Sequence, residues 1–131
     1  MPTTKSAWIW LDLSPYTTAA DVSTVTVKGV PVAGTIKSIQ LGVNAVLTTG
    51  GGIVAVAKGS VNVLSSTTYN LGAAATPDLV AATPEFATLT TAKTSLKVAA
   101  GDLLKATWTL TTFAATTNAI TLLIGIEPDS W

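Results

Sequence analysis

The sequence contains no cysteine, no histidine and no arginine. The absence of cysteine excludes disulfide bonds, thiol catalysis and thiolate metal sites. The absence of histidine removes the side chain that titrates closest to neutral pH and is also the commonest metal ligand in proteins. A serine nucleophile would therefore lack its ordinary base. These absences predict a protein that is not an enzyme and that uses no metal or cofactor.

Charged residues are also scarce. Seven lysines balance seven acidic residues, so the formal net charge is zero, and charged residues make up 11% of the chain. An ordinary domain contains about 25% charged residues. Nucleic-acid-binding proteins neutralise phosphates with clusters of lysine and arginine. Because this sequence has no such cluster, we expect no binding to DNA, RNA or an anionic membrane surface.

The chain is instead rich in apolar residues, with 48% hydrophobic residues and a mean hydropathy of +0.53. A single domain of 131 residues has little interior for so much apolar surface, and subunit interfaces are one place to bury it. The longest uncharged run, residues 38–57, is interrupted by Gly50-Gly51-Gly52 and alternates like strands, which argues against a membrane span. The apolar patch at residues 7–11 is too short for a secretion signal, so we expect synthesis in the cytoplasm.

Residues 99–127 predict two strands joined by a turn. In both strands apolar residues alternate with polar or small ones, as in a strand with one buried face. The predicted core positions are Leu104, Ala106, Trp108 and Leu110 before the turn and Ile120, Leu122, Ile124 and Ile126 after it. Similar segments recur about every ten residues between glycine-rich turns, a spacing typical of sandwiches and barrels. The predicted fold is all-β, an antiparallel β-sandwich.

Local irregularities are predicted at four places. Ile36 is out of phase with Ile39 and Leu41, which predicts a β-bulge near Lys37-Ser38. Residues 48–52 are predicted to form a turn, and Asp102 is predicted to hold a turn through a side-chain-to-backbone hydrogen bond. Thr76-Pro77-Asp78 resembles the start of a helix, so one short helical turn is predicted near residues 77–82.

The N-terminal segment is treated separately, with residues 1–16 as an arm or first strand and residues 17–131 as the β-sandwich domain. Trp8, Ile9, Trp10 and Leu11 follow one another, so a strand here is apolar on both faces and must be covered on both. Two alternatives remain open: the first strand of the chain's own sandwich, or an arm that docks on a neighbouring subunit. The predicted interface residues are Trp8, Ile9, Trp10, Leu11 and Trp131.

No pattern of catalytic residues is found. Residues 29–35 have the glycine spacing of a phosphate-binding loop, but Thr35 stands where that loop requires lysine. Exposed tryptophans can bind sugars by stacking, which keeps a carbohydrate-binding module open as an alternative function. Trp108 shares its strand face with Ala106 and Leu110 and is predicted to be core. The other tryptophans lie near the termini, where packing at an interface is favoured.

Three short motifs together resemble a known group of proteins. These are the turn Val98-Ala99-Ala100-Gly101-Asp102 before a threonine-rich strand, the final I-x-I-E-P at residues 124–128, and a G-x-I-x-x-I pattern in residues 34–41. They resemble small β-sandwich head decoration (cement) proteins of tailed bacteriophages and related fibre or tail modules. The similarity covers roughly residues 34–128, apart from a polar and alanine-rich stretch at residues 65–92.

The resemblance implies a jelly-roll-like fold and a structural role in the virion. It implies a homotrimer that binds the major capsid protein on the capsid exterior and stabilises the phage head, after assembly in the host cytoplasm. The alternative is a carbohydrate-binding or tail-fibre β-sandwich module. A coat protein that encloses an RNA genome fits the chain length, but the zero net charge argues against contact with packaged phosphates.

Overall fold

The computed structural model describes residues 8–15, 22–43, 51–66, 68–70, 85–111 and 120–129. Within these ranges the chain forms ten strands and one helical turn. The elements are β1 (Ile9–Asp12), β2 (Val22–Gly29), β3 (Gly34–Val43), β4 (Gly51–Lys58), β5 (Val61–Asn62), β6 (Tyr69–Asn70), β7 (Glu85–Phe86), α1 (Lys93–Leu96), β8 (Lys97–Val98), β9 (Leu103–Thr111) and β10 (Ile120–Pro128). The helical turn predicted near residues 77–82 lies outside the described residues.

The strands form two antiparallel sheets, called sheet I and sheet II below. Sheet I has the order β1-β10-β3-β7, and β8 also pairs with β3. Sheet II has the order β2-β9-β4-β5, and β6 also pairs with β4. In sheet I, β7 and β8 pair with different parts of β3, and in sheet II, β5 and β6 pair with different parts of β4. Each sheet is therefore four strands wide.

The order of the strands is that of a jelly roll. The first strand pairs with the last, and the second pairs with the second to last. Strands β1 to β4 alternate between the sheets, so the chain runs like a long hairpin folded over on itself. The predicted all-β, antiparallel, jelly-roll-like sandwich is confirmed. Residues 9–12 form β1, which pairs along its length with β10 of the same chain.

The core lies between the two sheets, and all eight positions predicted from the alternation in residues 99–127 are buried. Trp108 is fully buried, as predicted. Its indole N–H donates a hydrogen bond to the Leu13 carbonyl oxygen at 3.2 Å and also lies 3.2 Å from Thr26 Oγ1. The Thr26 hydroxyl donates to the same carbonyl at 2.6 Å. Because Leu13 follows β1, this buried network joins sheet I to β2 and β9 of sheet II.

Two predicted irregularities are confirmed. Gly125 pairs with Ser38 and Ile126 pairs with Ile36, so Lys37 is the extra residue of a β-bulge. The Asp102 carboxylate accepts a hydrogen bond from the Ala99 backbone N–H at 2.8 Å and holds the turn before β9.

The turn predicted at residues 48–52 is wrong at its last two positions, because β4 begins at Gly51. Gly52 has φ 121°, and its backbone lies so close to Thr109 that a Cβ atom there would overlap the Thr109 carbonyl oxygen. Gly52 therefore marks a close approach of β4 to β9, although the sequence had suggested a turn there.

Candidate functional site

The outer face of sheet II exposes large apolar side chains. In β2, Thr26 points to the core, where it has its hydrogen bonds, so Val25 and Val27 point outward. Val25 is 52% exposed, Val27 is 48% exposed, and Leu103 at the start of β9 is 57% exposed. Monomeric proteins seldom group exposed apolar side chains in this way unless the surface binds a partner.

Apart from Lys105, the neighbours of these residues on the same face are small or uncharged. In register, Val25 lies beside Thr107 and Thr107 beside Ala55, while the next outward row contains Val27, Lys105 and Ala57. Lys105 is the charged side chain that the described strands place on this face. The surface formed by Val25, Val27, Ala55, Ala57, Leu103 and Thr107 is called the apolar face below.

The apolar face ends at a strand edge that has no partner within the described residues. Within the described ranges, β2 pairs with β9 and with no other strand. Eight residues of extended backbone therefore border the apolar face, with one row of N–H and C=O groups turned away from the sheet. Such an edge is a natural place for another chain to pair or pack.

A second exposed surface lies on sheet I, where β1 presents Trp8 and Trp10. Their ring centroids are 5.8 Å apart and the ring planes are tilted by 39°. Both rings rest on Gly125 of β10, since a Cβ atom there would lie 2.9 Å from atoms of each ring. The two rings thus cover the glycine and still remain 36% and 45% exposed, respectively.

The other predicted interface residues occupy different positions. Ile9 and Leu11 alternate with Trp10 and lie on the partly buried face of β1, and Leu11 packs against the core. Trp131 lies outside the described residues. The structure therefore brings together Trp8 and Trp10 on the outside of sheet I and turns Ile9 and Leu11 the other way.

Asp12 is exposed on the same outer side of β1 as Trp10. The hydroxyl group and the backbone N–H of Ser14 both donate hydrogen bonds to Asp12 Oδ1. These two bonds, with a smaller contribution from the positive charge of Lys28, hold the pKa of the Asp12 carboxyl group below its ordinary value. The edge strand therefore presents the Asp12 carboxylate, with its lowered pKa, on the same outer side as the exposed Trp10.

A cavity of about 420 Å³ lies at the opposite edge of sheet I, between β3, β8 and α1. We call it the lysine pocket. Its walls are the apolar side chains of Ile36, Leu89 and Leu96, the lysines Lys37, Lys93 and Lys97, and Thr35. The wall formed by α1 is held by Lys58, whose Nζ donates to the Thr94 and Lys97 carbonyl oxygens at 3.2 and 2.6 Å.

Neither the apolar face nor the lysine pocket was anticipated from the sequence. Valines at alternate positions, as at Val25 and Val27, occur on buried and on exposed strand faces alike. The pocket combines residues from distant parts of the chain, so no local pattern marks it. The unpaired bulge residue Lys37 was the one available signal, because the phase change beside it was visible in the sequence.

The described part of the chain contains no cluster of three or more metal-ligating side chains. In the same part, no helix has both the length and the apolar character needed to cross a membrane.

Comparison of the chain with protein-family models, with curated proteins and with solved structures finds no match. The functional assignment below therefore depends on the surfaces of the fold and on the resemblance of its motifs.

Proposed function

We propose that the protein is a structural virion component, a capsid decoration (cement) protein that binds the major capsid protein on the outside of a phage head. The observation that carries this proposal is the apolar face of sheet II, with Val25, Val27 and Leu103 all about half exposed. The motif resemblance supports the same role and further suggests a homotrimer. Function in this proposal is adhesion, and it requires no reacting group.

The energetics favour a surface of this kind. Burial of apolar area contributes about 25 cal/mol per Å², and a stable interface buries about 1,200–2,000 Å² in total. Association entropy offsets much of this gain, so a lasting contact needs a well-packed apolar centre. The apolar face supplies such a centre with one charged side chain, Lys105, to desolvate among the described strands.

The test is co-sedimentation with capsids of the encoding phage from which this protein has been removed. We expect the unaltered protein to sediment with the capsids and the double variant Val25→Lys/Val27→Lys to remain in the supernatant. Both side chains are exposed, so the variant should fold normally. Thr88→Lys, an exposed position after β7, is the control for one added charge elsewhere on the surface. Equal binding by the double variant would contradict a role of the apolar face.

A carbohydrate-binding module is the second candidate, because Trp8 and Trp10 are exposed together on one sheet face. Gln40 lies in the neighbouring row of the same face and could donate hydrogen bonds to sugar hydroxyl groups. The 39° tilt between the rings makes a single flat stacking platform poor. Titration with host surface polysaccharide would show a saturable change in tryptophan fluorescence if this candidate is correct, and no change if decoration is the sole function.

A further inference from the structure

The lysine pocket carries an unbalanced positive charge. Lys97 Nζ forms an ion pair with Asp129 Oδ1 at 2.8 Å, whereas no ion pair joins Lys37 or Lys93 to an acidic side chain in the described ranges. Glu127 lies beside Thr35 in register and is the second carboxylate near the pocket. With Lys58, which holds the α1 wall, four lysines face two carboxylates and leave two positive charges in excess. The pocket therefore suits an occupant with a carboxylate and an apolar part that can contact the half-buried side chains of Leu89 and Leu96.

The outer side of β1 has these two properties. Trp10 is 45% exposed, and Asp12 lies two residues further along on the same side, about 7 Å away for extended backbone. Asp12 Oδ1 accepts two hydrogen bonds from Ser14, whereas Asp102 holds its turn and Asp129 binds Lys97. Trp8 extends the apolar surface next to Trp10. We call Trp8, Trp10 and Asp12 the β1 ridge.

The ridge and the pocket lie on opposite edges of one sheet, so they cannot meet within one chain. Strands β10 and β3 separate them. They also lie at the same level along the strands, because Trp10 is in register with Gly125 and, through it, with Ser38, the neighbour of Lys37. Two complementary surfaces on opposite sides of a molecule generate head-to-tail contacts, which form a closed ring or a chain of copies.

We propose that the β1 ridge of one copy docks into the lysine pocket of a second copy. Asp12 forms ion pairs with Lys37 and Lys93 of the second copy. The exposed ring of Trp10 covers the apolar wall, and the lysines also make cation–π contacts with the face of this ring. The pocket is open to solvent and has exposed lysines at its rim, so the surface of a second protein can reach its walls. This contact is separate from the capsid contact proposed above.

Sedimentation velocity on the purified full chain tests the proposal without any capsid. The unaltered protein should associate at micromolar concentration, and association should weaken as salt screens the charges. Asp12→Lys should damage the ridge alone, and Lys37→Glu/Lys93→Glu the pocket alone. Each is expected to weaken association by at least about tenfold, because like charges are brought together in the contact. All three positions are exposed, and a cooperative melting transition will verify folding.

Mixing the two variants distinguishes this head-to-tail contact from other modes of association. The Asp12→Lys variant keeps an intact lysine pocket, and the Lys37→Glu/Lys93→Glu variant keeps an intact β1 ridge. The mixture should therefore form one-to-one heterodimers and nothing larger, while each variant alone stays monomeric. The triple variant Asp12→Lys/Lys37→Glu/Lys93→Glu, with both charges reversed, should recover association.

Three results would overturn the proposal. One is that the unaltered protein stays monomeric at every concentration, whether or not it binds a polysaccharide through Trp10. Another is undiminished association of both charge variants. The third is full-size assemblies in the mixture, which would place the contact elsewhere. Failure here would leave the capsid contact untouched, because that contact is measured with capsids and with variants of the apolar face.

Discussion

Replacement of Trp108 by alanine is expected to lower the free energy of unfolding by about 3–5 kcal/mol. The indole is fully buried between the sheets and is the largest such side chain among the described residues, so the substitution leaves a cavity. Its hydrogen bond contributes less to this loss, because the Leu13 carbonyl oxygen keeps the Thr26 hydroxyl as a donor at 2.6 Å.

Two milder variants separate the contributions of packing and hydrogen bonding. Trp108→Phe removes the N–H and part of the ring and should cost roughly 1–3 kcal/mol, less than alanine because most of the volume remains. Thr26→Val replaces the hydroxyl group with a methyl group of similar size. It should cost about 1 kcal/mol, since Trp108 still donates to the Leu13 carbonyl oxygen. The expected order of stability loss is therefore Trp108→Ala, then Trp108→Phe, then Thr26→Val.

The assay is urea unfolding followed by circular dichroism, which does not depend on the tryptophan that is removed. Thr109→Ala, on the exposed face of the same strand, is the control and should stay within about 0.5 kcal/mol of the unaltered protein. If Trp108→Ala leaves the chain unfolded, Trp108→Phe still gives a measurable transition. Equal stability of Trp108→Phe and Thr109→Ala would refute the packing described for β9.

Three further predictions concern single positions. Asp102→Ala should lower the free energy of unfolding by about 1 kcal/mol, because a backbone N–H loses its acceptor, and Asp102→Asn, which keeps an acceptor oxygen, should lose less. In thermal melts Gly52→Ala should lower the melting temperature far more than Gly59→Ala, since a Cβ atom at position 52 would overlap the Thr109 carbonyl oxygen. A Cβ atom at position 59 has open space, so Gly59→Ala should cost only about 1–2 kcal/mol for the positive φ. The folded-state pKa of Asp12 is lowered, so its stabilisation is present above the ordinary value of 3.8 and is lost as pH falls through the folded pKa. Acid unfolding of Asp12→Asn should lack this component, and a profile identical to that of the unaltered protein would contradict it.

The parts of the fold that follow from side-chain period were predictable. Alternation alone identified the buried faces of β9 and β10, because a strand between two sheets must turn every second residue inward. The phase change after Ile36 predicted the bulge at Lys37, since an extra residue in one strand shifts the alternation. Asp102 was predictable because its role is local in sequence.

The surfaces that matter for function were harder to predict, because tertiary contacts decide them. Val25 and Val27 point outward because the hydrogen bonds of Thr26 fix the opposite face of β2 inward. The lysine pocket exists because β8 and α1 pack beside the bulge of β3, which brings Lys93 and Lys97 to Lys37. The alternation of Val25 and Val27 does not show which face is buried, and the lysine pocket leaves no periodic trace in the sequence.

Location on the particle tests the proposed role most directly. Intact virions of the encoding phage would be labelled with gold-conjugated antibody against the purified chain and imaged by electron microscopy. We predict dense labelling over the outer surface of the head, with none over the tail. Labelling confined to the tail, or absence of the chain from purified particles by mass spectrometry, would contradict a capsid decoration protein.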